Sequence, residues 1–304
     1  MKWKLIIKKL INKLPYCSSL YQEHLLYKNN ACYPPGHYYS PIVSVVDIIE
    51  KDDLIWGNNS DFVSEIDLNT IGQINLLKTF SGFYKGIPFE DYKTGGLRYS
   101  FKNNYYSYTD GIILYSFIRH FKPNKIVEVG SGFSSALMLD TNELFFNNNI
   151  SLTFIEPYPE RLKSLLKETD NNNCTIVEKP VQEVSKELFS ELNSGDILFI
   201  DSSHVSKTGS DVNFLLFNIF PILQNGVIIH LHDIFYPFEY PKEWVLGGRN
   251  WNEAYLIKAF LMNNNKYKIE FFSHYLHQKY PEVFKNMPGA YIDKGCNLWI
   301  RKVS

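Results

Sequence analysis

At 304 residues, 45% of them hydrophobic, and with a formal net charge of −1, the chain can fill one large domain or a main domain with a smaller one. It has no bulk field that would draw nucleic acid. The four cysteines, Cys17, Cys32, Cys174 and Cys296, stand apart with no C-x-x-C pair, which excludes a disulfide frame or zinc knuckle and reads as reduced thiols of a cytoplasmic protein.

In chain order, the first pattern is a basic amphipathic helix. Trp3, Ile6, Ile7, Leu10, Ile11 and Leu14 recur at helical spacing, Lys2, Lys8, Lys9 and Lys13 lie opposite, and Pro15 ends the run. Residues 2–14 therefore read as a helix covering the protein's own core or a second subunit in a homo-oligomer, or as a peripheral membrane contact. The segment "YPPGHYYSPI" (33–42) must be extended or turning. A helix is expected within 66–84, capped by Asn69 or Thr70. Another runs from Ser107 to about His120, with Asp110 placed for a capping box. Residues 1–105 are taken as a mainly irregular and helical N-terminal extension, and 106–304 as the main domain.

From 123 the pattern becomes a βα series. Strand 125–129 is followed by helix 134–146, strand 151–155 by helix 158–168, and strand 174–178 by helix 183–192. Strand 196–200 leads to helix 210–223, and strand 226–231 to an irregular stretch, 234–250. Helix 251–262 and strands 267–272 and 297–302 close the chain. Near-continuous apolar strands between helices predict an α/β fold: seven strands, mostly parallel, covered on both faces. Ligands of such a Rossmann-like sheet bind beyond the carboxyl ends of its strands. Asn clusters at 147–149, 171–173 and 263–265 read as surface turns.

The first strand ends in "VEVGSGFSS" (127–135). Glu128, Gly130, Ser131 and Gly132 form a turn where the backbone can approach a ligand closely, either a dinucleotide or S-adenosylmethionine. Glu156, at the tip of the second strand, is placed to accept ribose hydroxyls, although a helix N-terminal acid is the plainer alternative. Strand four ends "IDSSH", bringing out Asp201 and His204, and strand five ends "HLHDIF", bringing out His230, His232 and Asp233. Carboxylates from neighbouring strand ends can hold a hard divalent cation. His232 is a further ligand candidate, and one of the two histidines is expected to be packing. The stretch 234–253 is a lid candidate, in which Trp244, Arg249 and Trp251, with Glu253, could line an acceptor pocket.

The acid-x-Gly-x-Gly order of "VEVGSG" resembles motif I of class I S-adenosylmethionine-dependent methyltransferases. "IDSSH" followed by a "HDIF" strand end is similar to the metal-dependent sugar O-methyltransferases that tailor macrolide and aminocoumarin antibiotics. A wider likeness, through "YPPGHYYSP", "RYSFKNNYYSYTDG", "DSSHVSKTGSDVN" and "FEYPKEWVLGGRNWNEAYL", is to bacterial class I methyltransferases whose acceptors are generally unassigned. The resemblance implies S-adenosylmethionine as cofactor, bordered by Asp201, and a sugar or other small-molecule acceptor. It also implies Asp201 and Asp233 as ligands of magnesium or manganese, and His204 as base. The sequence departs from the pattern at His232, where that family has an acid, and at Ser134, where motif I often has a third glycine. Two other readings compete. Tyr275 and Lys279 match the Tyr-x-x-x-Lys of NAD(P)-dependent reductases, though beyond the sixth strand. The Tyr-rich N-terminal region would instead suit a non-catalytic binding domain.

Overall fold

The computed structural model describes Trp3, 14–57 and 63–304. The amphipathic helix expected over 2–14 lies, but for Trp3 and Leu14, outside the described residues. The chain divides into two compact units, one of residues 1–58 with Leu246–Asn250, the other of 59–245 with Trp251–Ser304. Among the described residues no helix is long and apolar enough to cross a membrane.

The first unit holds α1 (Pro15–Asn30), α2 (Val45–Glu50) and α3 (Asp52–Trp56). Pro15 stands in the first turn of α1, where its missing N–H costs nothing. Ser44 caps α2 by accepting from the Asp47 N–H. Between them the Pro- and Tyr-rich segment turns, with Tyr33 stacked on His37.

The second unit contains α4 (Thr70–Tyr84), α5 (Tyr108–Phe121), β1 (Lys125–Val129), α6 (Phe133–Phe146), β2 (Ser151–Ile155), α7 (Glu160–Leu165), β3 (Cys174–Val177), α8 (Glu187–Ser190) and β4 (Ile197–Ile200). It continues with α9 (Asp211–Phe214), β5 (Ile228–Leu231), α10 (Lys242–Leu246), α11 (Glu253–Leu261), β6 (Tyr267–Phe272), α12 (Ser273–Lys279), α13 (Pro288–Ile292) and β7 (Leu298–Lys302). Residues 59–105, expected to go with the N-terminal extension, are part of this unit. Their Phe80, Phe89 and Tyr99 are buried, and Arg98 is clamped to α6 by Asp140.

The sheet has the expected seven strands, in the order β3-β2-β1-β4-β5-β7-β6. Only β7 is antiparallel, to both β5 and β6. On one face, Phe117 of α5 stacks on Trp299 of β7 at 3.8 Å between centroids, and Phe80 of α4 meets Phe117 edge-on. Each such ring contributes about 1.5–3 kcal/mol by leaving water. Asn147, Asn148 and Asn263 take left-handed backbone at turns after helices, the conformation asparagine tolerates best. The helix expected over 210–223 is broken instead. After α9 comes one wide π-type turn (Leu215–Ile219), then a 3-10 turn (Phe220–Ile222) in which Pro221 has no N–H to continue the ladder.

Register sets up the site. Val129 pairs with both Ile155 and Ile200, and Ile200 pairs with Leu231. Residues 130, 156, 201 and 232 therefore leave the sheet side by side along one edge. Leu231 is also paired with Leu298, the first residue of antiparallel β7. The residues just before Leu298 arrive at that same edge from the opposite direction.

Candidate active site

The glycine turn is held by the protein itself. Gly130 has φ +83°, and a Cβ there would lie 1.7 Å from the Asp201 carbonyl oxygen. The glycine lets β1 and β4 separate around a shared corner, where the Asp201 N–H donates to the Val129 carbonyl. Glu128 is wholly buried and accepts from the hydroxyls of Ser134 and Ser135. It braces the start of α6 from beneath the loop. Burial pushes it up to about 8, although both hydroxyls pull it down. Gly132 is extended, and its N–H donates to Ser135 Oγ at 3.0 Å.

Glu156 is half-buried at the end of β2. It accepts from the Ser131 N–H at 3.1 Å and the Tyr158 N–H at 2.9 Å. Each oxygen has a lone pair to spare. Ser131 Oγ is buried with no hydrogen-bond partner among the described residues. Tyr105 stacks on Phe133 and lies under the Arg161 guanidinium, forming an aromatic and cationic rim beside the glycine turn. An acceptor carboxylate and an orphan hydroxyl beside the glycine turn fit the ribose and amino-acid ends of S-adenosylmethionine.

Beyond β4 and β5, Asp201 and Asp233 converge on one histidine. His204 Nε2 is 3.4 Å from Asp201 Oδ1 and 3.5 Å from Asp233 Oδ2. Its Nδ1 pairs with Glu253 Oε2 at 2.9 Å. Burial alone would depress this imidazole, but hydrogen bonds to Asp201 and Glu253 hold it well above the ordinary histidine value. Burial would raise Asp201, yet His232, His204 and Arg161 hold it below the usual range. His204 and Asp233 are both non-glycine residues with left-handed backbone, φ +58° and +55°. Strain of that kind persists only where the surrounding structure enforces it. The ligand atoms of Asp201, His204 and Asp233 all lie within 4.8 Å of one another, and the two carboxylates among them offer the oxygen ligands that a hard divalent cation takes.

His232 is placed differently from the expectation that it would join Asp201. Its Nε2 points to Cys296 Sγ at 3.6 Å and Asp233 Oδ1 at 3.8 Å, and the nitrogen on the Asp201 side belongs to His204. His230 is the packing histidine, stacked on Phe199 at 3.8 Å, and burial drives it well below its ordinary value. Asp110, expected as a capping-box acid, does not reach back along α5. It is buried and accepts from the Cys296 N–H and Asn297 Nδ2. Glu253, expected in an acceptor pocket, is instead the partner of His204.

Trp251 lies 4.5 Å from the His204 ring, and Trp244 lies 5.4 Å edge-on from Trp251. A cavity of about 380 Å³ opens next to them, lined by Tyr105, Asp110, Phe235, Trp244, His274 and Cys296. Arg249 is exposed and belongs to the first unit. Tyr275 is committed elsewhere, its hydroxyl bonded to Thr70 Oγ1 at 2.7 Å. The reductase reading therefore loses its tyrosine.

A methyltransferase-domain family model matches residues 127–234, the stretch from β1 to just past Asp233. An uncharacterized protein of Archaeoglobus fulgidus is 32% identical over 184 residues, 58% of this chain and 82% of that protein. Among solved structures, a methyltransferase of Podospora anserina, PaMTH1, bound to S-adenosylhomocysteine, is 14% identical. The match covers 76% of this chain and 88% of PaMTH1, with a TM-score of 0.43. TomG, an O-methyltransferase of tomaymycin synthesis from Streptomyces achromogenes in complex with S-adenosylmethionine, is 11% identical. That match covers 85% of this chain and 96% of TomG, with a TM-score of 0.41. With its glycine turn and strand-tip acid inside that stretch, the chain carries a methyltransferase domain over residues 127–234.

Proposed function

We propose that this enzyme transfers the methyl group to a hydroxyl of a sugar or glycan-type small molecule, with magnesium or manganese held by Asp201 and Asp233. The observation that carries this reading is the convergence of the two carboxylates on His204 Nε2, with Nδ1 tied to Glu253. The sugar class rests on the likeness of the "IDSSH" and "HDIF" strand ends to sugar O-methyltransferases.

A cation bound there would lower the pKa of an acceptor hydroxyl. The remaining work falls to the chain's own groups. Glu253 fixes the imidazole ring through Nδ1, and a cation offsetting the charge of Asp201 and Asp233 would leave Nε2 free to take the acceptor proton. Glu156 would accept from the ribose hydroxyls of the cofactor, and residues 130–132 would flank it. The sulfonium methyl is already activated, so holding the oxygen in line with it supplies most of the acceleration. Trp251 and Trp244 offer ring faces for a sugar.

The test separates three functions. Asp201→Asn and Asp233→Asn should each lose manganese binding in calorimetry while keeping S-adenosylmethionine binding. His204→Ala should keep both and lose ~10²–10⁴-fold in turnover, the usual contribution of a general base, read as S-adenosylhomocysteine release with a panel of hexoses and glycosides. Full turnover in excess chelator would reject the cation. Turnover with thiol or amine acceptors alone would reject the hydroxyl.

A further inference from the structure

Ligand atoms of Asp110, His232 and Cys296 lie within 4.8 Å of one another, and Asp233 Oδ1 adjoins two of them. Cys296 Sγ lies 3.1 Å from Asp233 Oδ1, 3.6 Å from His232 Nε2 and 3.7 Å from Asp110 Oδ2. His232 Nε2 lies 3.8 Å from Asp233 Oδ1. With metal–ligand bonds of about 2.0–2.3 Å, a tetrahedral zinc centre separates its N, O and S ligands by about 3.3–3.6 Å. The observed separations bracket those values.

The surroundings are built for such a site. Asp110 Oδ1 is occupied by two donors, the Cys296 N–H and Asn297 Nδ2. Its other oxygen, Oδ2, is the one turned toward Sγ. A ligand carboxylate with its second oxygen fixed in this way is the arrangement that outer-shell bonds provide in metal sites. Gly295 (φ +62°) brings the start of β7 down onto α5, where a Cβ would lie 2.7 Å from Thr109 Cγ2 and 2.9 Å from Asp110 Oδ1. That close approach delivers Cys296 to Asp110. His232 Nδ1 is buried with no hydrogen-bond partner among the described residues, so the ring's polar contacts are all made through Nε2. Two carboxylates and a thiol around one imidazole leave negative charge that a dication balances. The cavity lined by Asp110 and Cys296 gives access from solvent.

We propose that Asp110, His232, Asp233 and Cys296 form a second cation site for a borderline-soft divalent metal such as zinc. It shares only Asp233 with the Asp201–His204 side. The thiolate and imidazole select zinc or cobalt over magnesium, which prefers oxygen alone. Loading displaces the Sγ proton to solvent, and sulfur then bonds the metal. The site goes beyond the proposed methyl transfer and does not depend on a cation at Asp201.

Cobalt(II) titration of the chelator-treated full chain tests this. Native protein should develop thiolate-to-cobalt charge-transfer absorption that saturates at one equivalent. Zinc should abolish it and excess magnesium should not. Cys296→Ser should lose the band while keeping its circular dichroism and S-adenosylmethionine binding. Zinc-edge X-ray absorption of the native chain, which needs no variant, should show one sulfur at about 2.3 Å from the metal. No charge-transfer band in the native chain, a band surviving in Cys296→Ser, or zinc without a sulfur neighbour would each overturn the site. Asp201→Asn should leave the band intact; its loss there would also overturn a site independent of Asp201.

Discussion

At the scale of single residues, the two glycines of the "GSG" turn look equivalent in sequence and are not. The close approach that demands glycine at 130 is to the protein's own Asp201 carbonyl, 1.7 Å from where a Cβ would lie. At Gly132 the nearest atom to a Cβ is Arg161 Cδ at 3.3 Å, the middle of a flexible side chain. Gly130→Ala should therefore destabilise the chain by several kcal/mol, since backbone must move and φ is positive. Gly132→Ala should cost under about 1 kcal/mol, since only the Arg161 side chain has to give way. Urea midpoints of the two variants check this, and equal midpoints would refute the distinction. The places of Glu156, Asp201 and Asp233 at the strand tips were readable because near-continuous apolar runs mark where each parallel strand ends. The left-handed backbones of His204 and Asp233 were not readable, since no glycine or asparagine marks them.

At the scale of elements, the harder residues to foresee are those that reach the site from outside the βα series. Glu253 opens α11, and Asp110 lies on the first turn of α5. Cys296 stands just before β7, 186 positions from Asp110 in the chain. No spacing rule links them, because the insertion of antiparallel β7 between β5 and β6 is a fact of topology and not of local pattern. The same holds for Arg98. Its guanidinium bonds Asp140, Glu143 and Asp170, and its N–H and that of Tyr99 both donate to Asp140 Oδ2 at 2.8 Å. This clip fixes the 97–107 segment, whose Tyr105 and Tyr106 border the site, onto α6. Arg98→Leu would leave buried Asp140 without a counter-charge and buried Asp170 with only the influence of Lys167. The expected cost is ~3–5 kcal/mol in denaturant unfolding, the range for breaking a buried ion pair. A loss within measurement error would show that the clip is dispensable.

At the scale of the whole molecule, the sheet, the glycine turn and the carboxylate–histidine centre all lie within 59–245 and 251–304. Among the described residues of the first unit, by contrast, little is buried. α1 has no buried residue, and Leu20, Leu26, Val46, Ile49 and Leu54 are exposed. Helices that cannot bury an apolar face contribute little to stability in water. The methyltransferase unit should then carry its own folding free energy. A chain beginning at residue 63 should unfold cooperatively and bind S-adenosylmethionine with a Kd within about threefold of the full chain, a difference of under 1 kcal/mol. Calorimetry and thermal unfolding of the two chains side by side decide it. Turnover is a separate readout, because loss of turnover with cofactor binding intact would assign residues 1–58 a part in acceptor binding. Loss of cooperative unfolding would instead make the first unit part of the catalytic fold, and would overturn the division at residue 58.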